Sequence, residues 1–362
     1  MNSYYTAIIF FNIFAMLIVQ IGVSKSNTLD KERKRSFRSL FDIIIVASLC
    51  EWAGNMLQGT GADTRSLHTL VKILELSIAP FTAFIVSFII EKRHSSLILS
   101  ILSIHACLEV LSAFCPFIYC IDAESNYTHG PYYWIYISIY VISLLYCFWT
   151  VSRNVHRYQY NGIGFFLLII LFMVCGILLQ LINSSIKVDY IVLGMSAIML
   201  YIFTLEMVNQ TDELTELMNR RGYENYISHL DHKCEFLFFD VDKFKLANDT
   251  YGHKYGDEVL RTIGITIRTV YAKYGKCFRY GGDEFCVILD TDSSKPNILN
   301  HQFEEMISRR RESDPRFPSV SIGHSFCDPE SESIQDIFDD AEKMMYQLKK
   351  ERKAKTQKLC QN

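Results

Sequence analysis

The chain has little net charge and none of the cysteine spacings that hold a structural metal. Lys and Arg number 36 and Asp and Glu number 39, so the formal net charge is −3 over 362 residues. This lack of basic excess excludes nucleic acid as a bulk electrostatic partner. The 11 cysteines include no Cys-x-x-Cys pair and no Cys/His ligand spacing, which excludes the common zinc sites and a disulfide framework.

Long polar stretches are scarce in the first part of the chain. Hydrophobic residues make up 50% of the sequence, and before Val208 they form segments close to the about 20 residues that cross a bilayer. We predict seven membrane-spanning helices, at residues 5–23, 40–57, 70–90, 97–118, 132–151, 163–182 and 190–208. The first segment has neither the basic start nor the small-residue cleavage site of a signal peptide, so we expect it to remain in the protein.

The charges of the loops predict the orientation of these helices. Basic residues follow the first, third and fifth segments: Lys25, Lys31, Arg33, Lys34, Arg35, Arg38, Lys92, Arg93, Arg153 and Arg157. The alternate loops contain little beyond Arg65 and Lys187. Because basic loops stay on the cytoplasmic side, we expect the N-terminus outside the cell. The sequence therefore predicts a lipid-embedded domain at residues 1–208 and a cytoplasmic domain at residues 209–362.

Polar side chains within the predicted helices are costly in lipid and usually face the interior of a bundle or a cavity. They are Glu51, Asn55, Glu75, His105, Glu109 and Gln180. Two interpretations stay open: these residues line a pocket for an unidentified sensory ligand, or they hold the helices together.

Two acidic segments mark the second part of the chain. Gly281-Gly282-Asp283-Glu284-Phe285 lies between extended stretches, and we interpret its glycines as a hairpin turn with positive φ. The apolar run that begins at Cys234 ends in Asp240-Val241-Asp242, as expected for a buried strand. Carboxylates that meet at one sheet edge suit Mg²⁺, which prefers oxygen ligands and binds beside substrate phosphates. The cysteines near these strands, Cys234, Cys277, Cys286 and Cys327, are expected in the core.

Further motifs surround these two segments in a fixed order. Asp240 begins D-x-D-x-F-K-x-x-N-D, Gly252 begins G-H-x-x-G-D, and Arg279 begins R-Y-G-G-D-E-F. Leu214 begins L-T-x-L-x-N-R-R, and Val320 precedes S-I-G. The series resembles the GGDEF family of diguanylate cyclases over roughly residues 212–353.

The order of predicted elements indicates the fold. Helices are predicted at residues 219–226, 256–274, 298–311 and 333–353, and strands at residues 236–241, on both sides of the Gly-Gly turn, and at residues 320–326. After the first helix this order is β-α-β-β-α-β, which is ferredoxin-like. The expected fold class is an α-helical transmembrane bundle followed by an α+β domain with a central antiparallel sheet, and the resemblance implies that this domain is palm-like.

The resemblance also implies a reaction. Two GTP molecules would be condensed into cyclic di-GMP with release of two pyrophosphates. Mg²⁺, with Mn²⁺ as an alternative, would be held by Asp240, the Val241 carbonyl, Asp283 and Glu284. Asp283 matches the family residue proposed to take the 3′-hydroxyl proton. One subunit would supply one half-site, so a homodimer would be needed.

The substrate residues come from the same resemblance. The set is Asn248, Asp257, Phe244, Gly281, Gly282, Lys349 and Lys353. Asn248 and Asp257 would read the guanine edge, Phe244 would shape the site, and the lysines would reach the triphosphate. Two alternatives stay open: Asp257 interacts only with its helix dipole, and Lys353 belongs to a solvated helix end.

Two other functions on this fold remain under consideration. A non-catalytic receptor for GTP or cyclic dinucleotides is disfavoured because Asp240, Asp283 and Glu284 are all retained. A cyclase that accepts ATP is disfavoured by Asp257. The leading interpretation is a multi-pass diguanylate cyclase of a bacterial inner (plasma) membrane.

Two features of the sequence depart from the family pattern. Many members carry R-x-x-D before the Gly-Gly turn as an inhibitory product site, and here the matching residues are Ala272-Lys273-Tyr274-Gly275. Glu216 stands where the family usually has Gly. If this position has positive φ, a glutamate strains the turn by about 1 kcal/mol or more.

We predict that cyclic di-GMP does not inhibit the chain through an R-x-x-D site, since neither the guanidinium nor the carboxylate is present. Initial rates measured with increasing cyclic di-GMP test this. Tight inhibition that disappears when Ala272 or Gly275 is changed would contradict the prediction.

Overall fold

The structure is a computed structural model and describes residues 2–91, 96–157, 163–182, 187–290 and 296–328. The chain divides into two compact units, the first ending at Glu206 and the second continuing from Met207. Each unit has its own architecture and is described by itself.

Helices dominate the first unit. They are α1 (Asn2–Lys25), α2 (Lys31–Leu57), α3 (Arg65–Glu91), α4 (Ser96–Ser112), α5 (Trp134–Arg157), α6 (Ile163–Ile182) and α7 (Asp189–Asn209), with a short 3-10 helix (Ala62–Thr64) before α3. Each predicted segment overlaps one of these helices, although α4 ends at Ser112 and not at the predicted residue 118. Five apolar helices are long enough to cross a membrane, whereas α4 and the apolar part of α6 (Gly164–Gly176) are shorter. The structure thus contains several long apolar helices, and seven crossings remain a prediction.

Hydrogen bonds show how the connections of the first unit are arranged. A two-stranded hairpin, β1 (Tyr119–Ile121) and β2 (Tyr127–His129), follows α4. The segment after α2 is bound to it, since Gly59 N–H donates to Ser125 O at 3.2 Å and Arg65 Nε donates to Ile121 O at 3.2 Å. The connections after α2 and after α4 therefore lie at the same end of the helices, as alternating crossings require.

Several polar residues within these helices contact other protein groups. Glu51 accepts a hydrogen bond from the Tyr5 hydroxyl at 2.5 Å, and Asn55 Nδ2 donates to the same hydroxyl at 3.3 Å. Glu75 pairs with Lys72 at 2.8 Å, and His105 lies 3.5 Å from Glu109, both fully buried. The side chain of Gln180 lies outside the described residues. The Tyr5 contacts join α1 to α2, as the helix-joining interpretation expects for Glu51 and Asn55. The Lys72–Glu75 and His105–Glu109 contacts each lie within one helix, so both interpretations stay open.

The second unit is an α+β domain with a four-stranded antiparallel sheet. Its elements are α8 (Arg220–Ile227), β3 (Cys234–Val241), α9 (Phe244–Tyr251), α10 (His253–Tyr271), β4 (Gly275–Arg279), β5 (Glu284–Asp290), α11 (Pro296–Ser313) and β6 (Val320–Cys327). The strand order is β4-β5-β3-β6. The predicted antiparallel sheet and ferredoxin-like order are confirmed. The predicted helix at residues 333–353 lies outside the described residues.

Both faces of β3 are buried, which explains its continuous apolar sequence. Leu237 and Phe239 point to one face and pack with residues of α10 and α11, including Ile263 and Phe303. Phe236 and Phe238 point to the other face, where residues of α8 pack against the sheet. The four cysteines expected in this core are buried. Burial raises the pKa of the Cys277 thiol to about 12, so the thiol stays neutral.

One helix of the second unit was not predicted. The short helix α9 spans Phe244–Tyr251 and follows Lys243, which has φ 56°. It ends at Gly252, whose φ of 85° stops the helix. Eight residues are too few for a clear helical period, so the usable sequence signal was Gly252 as a C-terminal glycine. The next helix, α10, ends at Tyr271 rather than at the predicted residue 274.

Glu216 has φ 59°, so the position does require the left-handed conformation, as the family's glycine suggested. Its carboxylate pairs with Arg268 Nη1 at 2.9 Å. Both side chains are partly exposed, at 24% for Arg268 and 36% for Glu216, so solvent weakens the pair. The ion pair therefore offsets only part of the backbone strain.

We predict that Glu216→Gly raises the free energy of unfolding of a 207–362 fragment by about 0.5–1 kcal/mol, because relief of the left-handed strain exceeds the lost ion pair. Urea denaturation followed by circular dichroism measures this. Glu216→Ala is the control: it loses the ion pair and keeps the strain, so it should not stabilise. Equal destabilisation by both changes would contradict the account.

Candidate active site

A tight hairpin between β4 and β5 presents the two glycines. Tyr280 N–H and Gly281 N–H both donate to Glu284 O, at 2.9 and 3.2 Å. The predicted turn is therefore present, but the predicted reason was wrong. Gly281 and Gly282 are not among the residues with positive φ; the glycines with positive φ in the described chain are Gly59, Gly61 and Gly252.

Space, rather than backbone conformation, explains the glycines. A Cβ at Gly281 would lie 2.8 Å from Glu284 Oε2, so a side chain there would displace that carboxylate. A Cβ at Gly282 would meet no atom within 4 Å. The turn thus leaves open space at Gly282, which a ligand can approach closely.

The acidic residues meet at one end of the sheet. Asp240 lies directly opposite Glu284 in the antiparallel pairing of β3 with β5. Residues directly opposite each other project from the same face of a sheet, with Cβ atoms about 4.5–5.5 Å apart. Asp283 follows the open turn, and its carbonyl accepts a hydrogen bond from Val241 N–H at 3.2 Å. The structure therefore brings together all four predicted metal-site residues by their backbone positions.

The donor set fits a hard divalent cation. Two carboxylates directly opposite each other repel, and a bound cation removes that repulsion. Within the described ranges, no three His, Cys, Asp or Glu side chains are arranged to hold a metal by themselves. Mg²⁺ commonly uses only one or two carboxylates and completes its octahedron with waters and substrate phosphates. Asp240, which is only 6% exposed, and Glu284 match that limited protein contribution.

The second aspartate of Asp240-Val241-Asp242 has a different role. Asp242 Oδ2 accepts a hydrogen bond from Ser319 Oγ at 2.6 Å, and Asp242 Oδ1 accepts one from Ser321 Oγ at 2.8 Å. Its N–H donates to Ser319 O at 2.9 Å. Asp242 therefore ties the end of β3 to the start of β6 and holds the loop that leads into α9.

Arg279 holds the Gly-Gly turn, and the sequence analysis missed it. Its Nη2 donates to Gly282 O at 2.8 Å, and its Nη1 lies 3.1 Å from both carboxylate oxygens of Asp212. Asp212 also accepts hydrogen bonds from the N–H and hydroxyl of Thr215, at 2.9 and 2.7 Å. The usable signal was an arginine two residues before the Gly-Gly pair, since a planar guanidinium can bind two acceptors at once.

The predicted guanine residues lie where α9 meets α10. A Cβ placed on Gly256 would overlap Asn248 Oδ1 and lie 3.2 Å from Phe244 Cζ. The side chains of Asn248 and Phe244 therefore rest against the first turn of α10, next to Asp257, which is exposed. This group begins three residues after Val241, at the same end of β3 as the acidic residues. Lys349 and Lys353 lie outside the described residues and remain predictions.

Gly275, which occupies the position of the missing inhibitory aspartate, is the first residue of β4. A Cβ there would overlap the carbonyl of Ile288 and lie 2.8 Å from the Leu289 Cα. The close approach of β4 to β5 therefore requires glycine at this position.

Comparison with known proteins agrees with the family resemblance of the second unit. Residues 209–355 match the family described as "Diguanylate cyclase, GGDEF domain". Diguanylate cyclase DgcP of Escherichia coli K12 is 34% identical over 151 residues, which cover 39% of this chain and 44% of that protein. Probable diguanylate cyclase DgcI of the same organism is 34% identical over 145 residues, covering 40% and 32%. The chain thus spans less than half the length of either relative.

A solved structure is also similar. The GGDEF domain of DgcB from Caulobacter crescentus, determined in complex with c-di-GMP, is 27% identical and covers 39% of this chain and 90% of its own, with a TM-score of 0.34.

We predict that Arg279→Lys loosens the turn, because an ammonium cannot bind Gly282 O and both Asp212 oxygens with one planar group. Amide hydrogen exchange at Tyr280 and Gly281 should become about tenfold faster or more, which hydrogen-exchange mass spectrometry measures. Arg309→Lys is the matched control, since its pair with Glu305 is exposed, at 72% and 50%. Unchanged exchange at the turn in Arg279→Lys would contradict the assigned role.

Proposed function

We propose that the chain is a membrane-anchored diguanylate cyclase that condenses two GTP into cyclic di-GMP, because residues 209–355 match the GGDEF family. The observation that carries the proposal is the placement of Asp240 opposite Glu284, with Asp283 at the open Gly-Gly turn. The two relatives named as diguanylate cyclases support the same reaction.

The acidic residues would serve positioning and proton transfer. Asp240, Glu284, Asp283 and the Val241 carbonyl would hold Mg²⁺, which when bound neutralises phosphate charge and polarises the attacked phosphorus. Asp283 would accept the proton of the 3′-hydroxyl as that oxygen attacks the α-phosphate of the second GTP. Arg279 fixes the turn that carries Asp283, so it acts on geometry rather than on the reacting atoms. The open space at Gly282 would admit the nucleotide.

Guanine selection would come from the group between α9 and α10. Asp257 can accept hydrogen bonds from the N1–H and N2 amine of guanine, and Asn248 can both donate and accept. Adenine offers an acceptor and an amine in a different order, so the same pair would leave polar groups unsatisfied. This arrangement favours GTP over ATP as the substrate, and the retained acidic residues favour an enzyme over a non-catalytic receptor.

The reaction requires two sites facing each other. One subunit would bind one GTP, so two subunits would form a homodimer with the two nucleotides antiparallel between them. The long apolar helices of the first unit support an anchor in a bacterial inner membrane. In this proposal the N-terminus is outside, the GGDEF domain is in the cytoplasm where GTP is available, and a signal received by the first unit controls the dimer geometry.

We predict that the purified full chain, in lipid nanodiscs with Mg²⁺, converts GTP but not ATP into a cyclic dinucleotide that mass spectrometry identifies as cyclic di-GMP. Asp283→Ala should lower the rate at least about 100-fold, because both a metal ligand and the base are lost. Asp290→Asn, at the far end of the same strand, is the control and should keep activity. Activity of Asp283→Ala equal to that of the control would refute the assignment.

We predict that Gly256→Ala weakens GTP binding about tenfold, because the new methyl group would displace Asn248 Oδ1 and so remove the proposed hydrogen bond of that side chain to the base. Calorimetric titration of GTP with Mg²⁺ measures the affinity. In an Asn248→Ala background the same change should cost little, since the displaced group is already absent. Independent, additive losses from the two changes would show that Gly256 does not act through Asn248.

A further inference from the structure

The first unit contains a cavity of about 310 Å³ between its helices. Its walls come from α2, α3, α5, α6 and α7; examples are Leu40, Val86, Leu144, Ile169 and Ala197. The volume lies at the lower end of the about 300–1,000 Å³ typical of small-molecule sites. All lining residues belong to predicted membrane helices, and the proposed function assigns this space no role.

The space is open on one side, since the lining residues Val141, Leu145 and Phe148 are 45%, 62% and 42% exposed. Its inner walls lack packing partners, so an apolar occupant would restore the lost contacts. Water is a poor occupant, since water needs two to four polar partners and the walls are almost wholly apolar. None of the residues that line the cavity in the described part of the chain is charged. The chemistry of the walls therefore selects an uncharged, mostly aliphatic occupant.

One polar group on the wall has no partner within the protein. Ser196 is 4% exposed, lines the cavity, and its hydroxyl makes no hydrogen bond. Thr82 differs, because its hydroxyl donates to Ala79 O at 2.7 Å within its own helix. A serine hydroxyl buried among apolar side chains costs free energy unless an occupant satisfies it. A ligand with one hydroxyl or carbonyl oxygen could therefore form a hydrogen bond with the Ser196 hydroxyl.

The length of the cavity limits the length of the ligand. Its lining runs from Tyr140 to Phe148 on α5 and from Phe166 to Val174 on α6. Eight residue steps of a helix rise about 12 Å. An extended medium-chain aliphatic molecule has this length.

We propose that this cavity binds a free, neutral, medium-chain aliphatic molecule whose single hydroxyl or carbonyl group bonds to the Ser196 hydroxyl. The bound molecule would lie between α5 and α6 and set the distance between them. This proposal does not depend on the activity of the GGDEF domain. The ligand is distinguished from a fatty acid by the uncharged wall and from an alkane by Ser196.

Photoaffinity labelling of the full chain in phosphatidylcholine nanodiscs tests the proposal. The probe is a medium-chain primary alcohol that carries a diazirine in its chain, and labelled peptides are mapped by mass spectrometry. We expect saturable labelling of α5, α6 and α7, and competition by 1-decanol at least about tenfold stronger than competition by decane or decanoate. The readout is independent of cyclic di-GMP synthesis, so failure of the proposed function leaves it interpretable.

Three variants sharpen the test. Ala197→Phe should fill the cavity and abolish saturable labelling, whereas Met195→Phe, two residues away at a position that is 44% exposed, should not change it. Ser196→Ala removes a single oxygen, so it should keep the fold and remove the preference for decanol over decane. Labelling that never saturates in nanodiscs, as expected if lipid acyl chains fill the space, would overturn the proposal. Equal competition by decanol and decane in the unaltered chain would also overturn it.

Discussion

The register between β3 and β5 is the constraint on which the candidate active site depends. Antiparallel pairing sets Asp240 opposite Glu284 and, four residues away along the same face, Phe236 opposite Ile288. A slip of one residue would turn every side chain of one strand to the other face of the sheet. Both faces are covered by packed helices, so such a slip would bury the wrong side chains on each side. The core of the domain therefore fixes the position of the carboxylates, without any bond between the carboxylates themselves.

The loops at this end of the sheet are held by hydrogen bonds of charged side chains rather than by apolar packing. Asp242 binds two serines at the start of β6, and Arg279 joins the Gly-Gly turn to Asp212. Hydrogen bonds to charged groups are stronger than neutral ones and have defined directions. Three separate chain segments thus meet around the acidic residues with little freedom, which is what preorganised catalysis requires.

The sequence predicted the sheet and the acidic edge well, because both leave long or distinctive patterns. A continuous apolar run that ends in Asp240 indicates a doubly covered strand, and the R-Y-G-G-D-E-F series identifies the hairpin. Three features were not predicted from the sequence, because they depend on contacts between residues far apart in the chain or on very short elements. Helix α9 has only eight residues, the Arg279–Asp212 pair spans 67 positions, and the space around Gly281 is set by Glu284 rather than by φ.

Gly275 has a consequence for how this chain can be regulated. Because a side chain there would strike the backbone of β5, an aspartate cannot be introduced without moving a strand of the sheet that carries Glu284. The predicted absence of product inhibition at this position therefore depends on the packing of two strands and not only on the identity of two side chains. Self-limitation of the proposed activity would have to come from another part of the molecule, such as its helical unit.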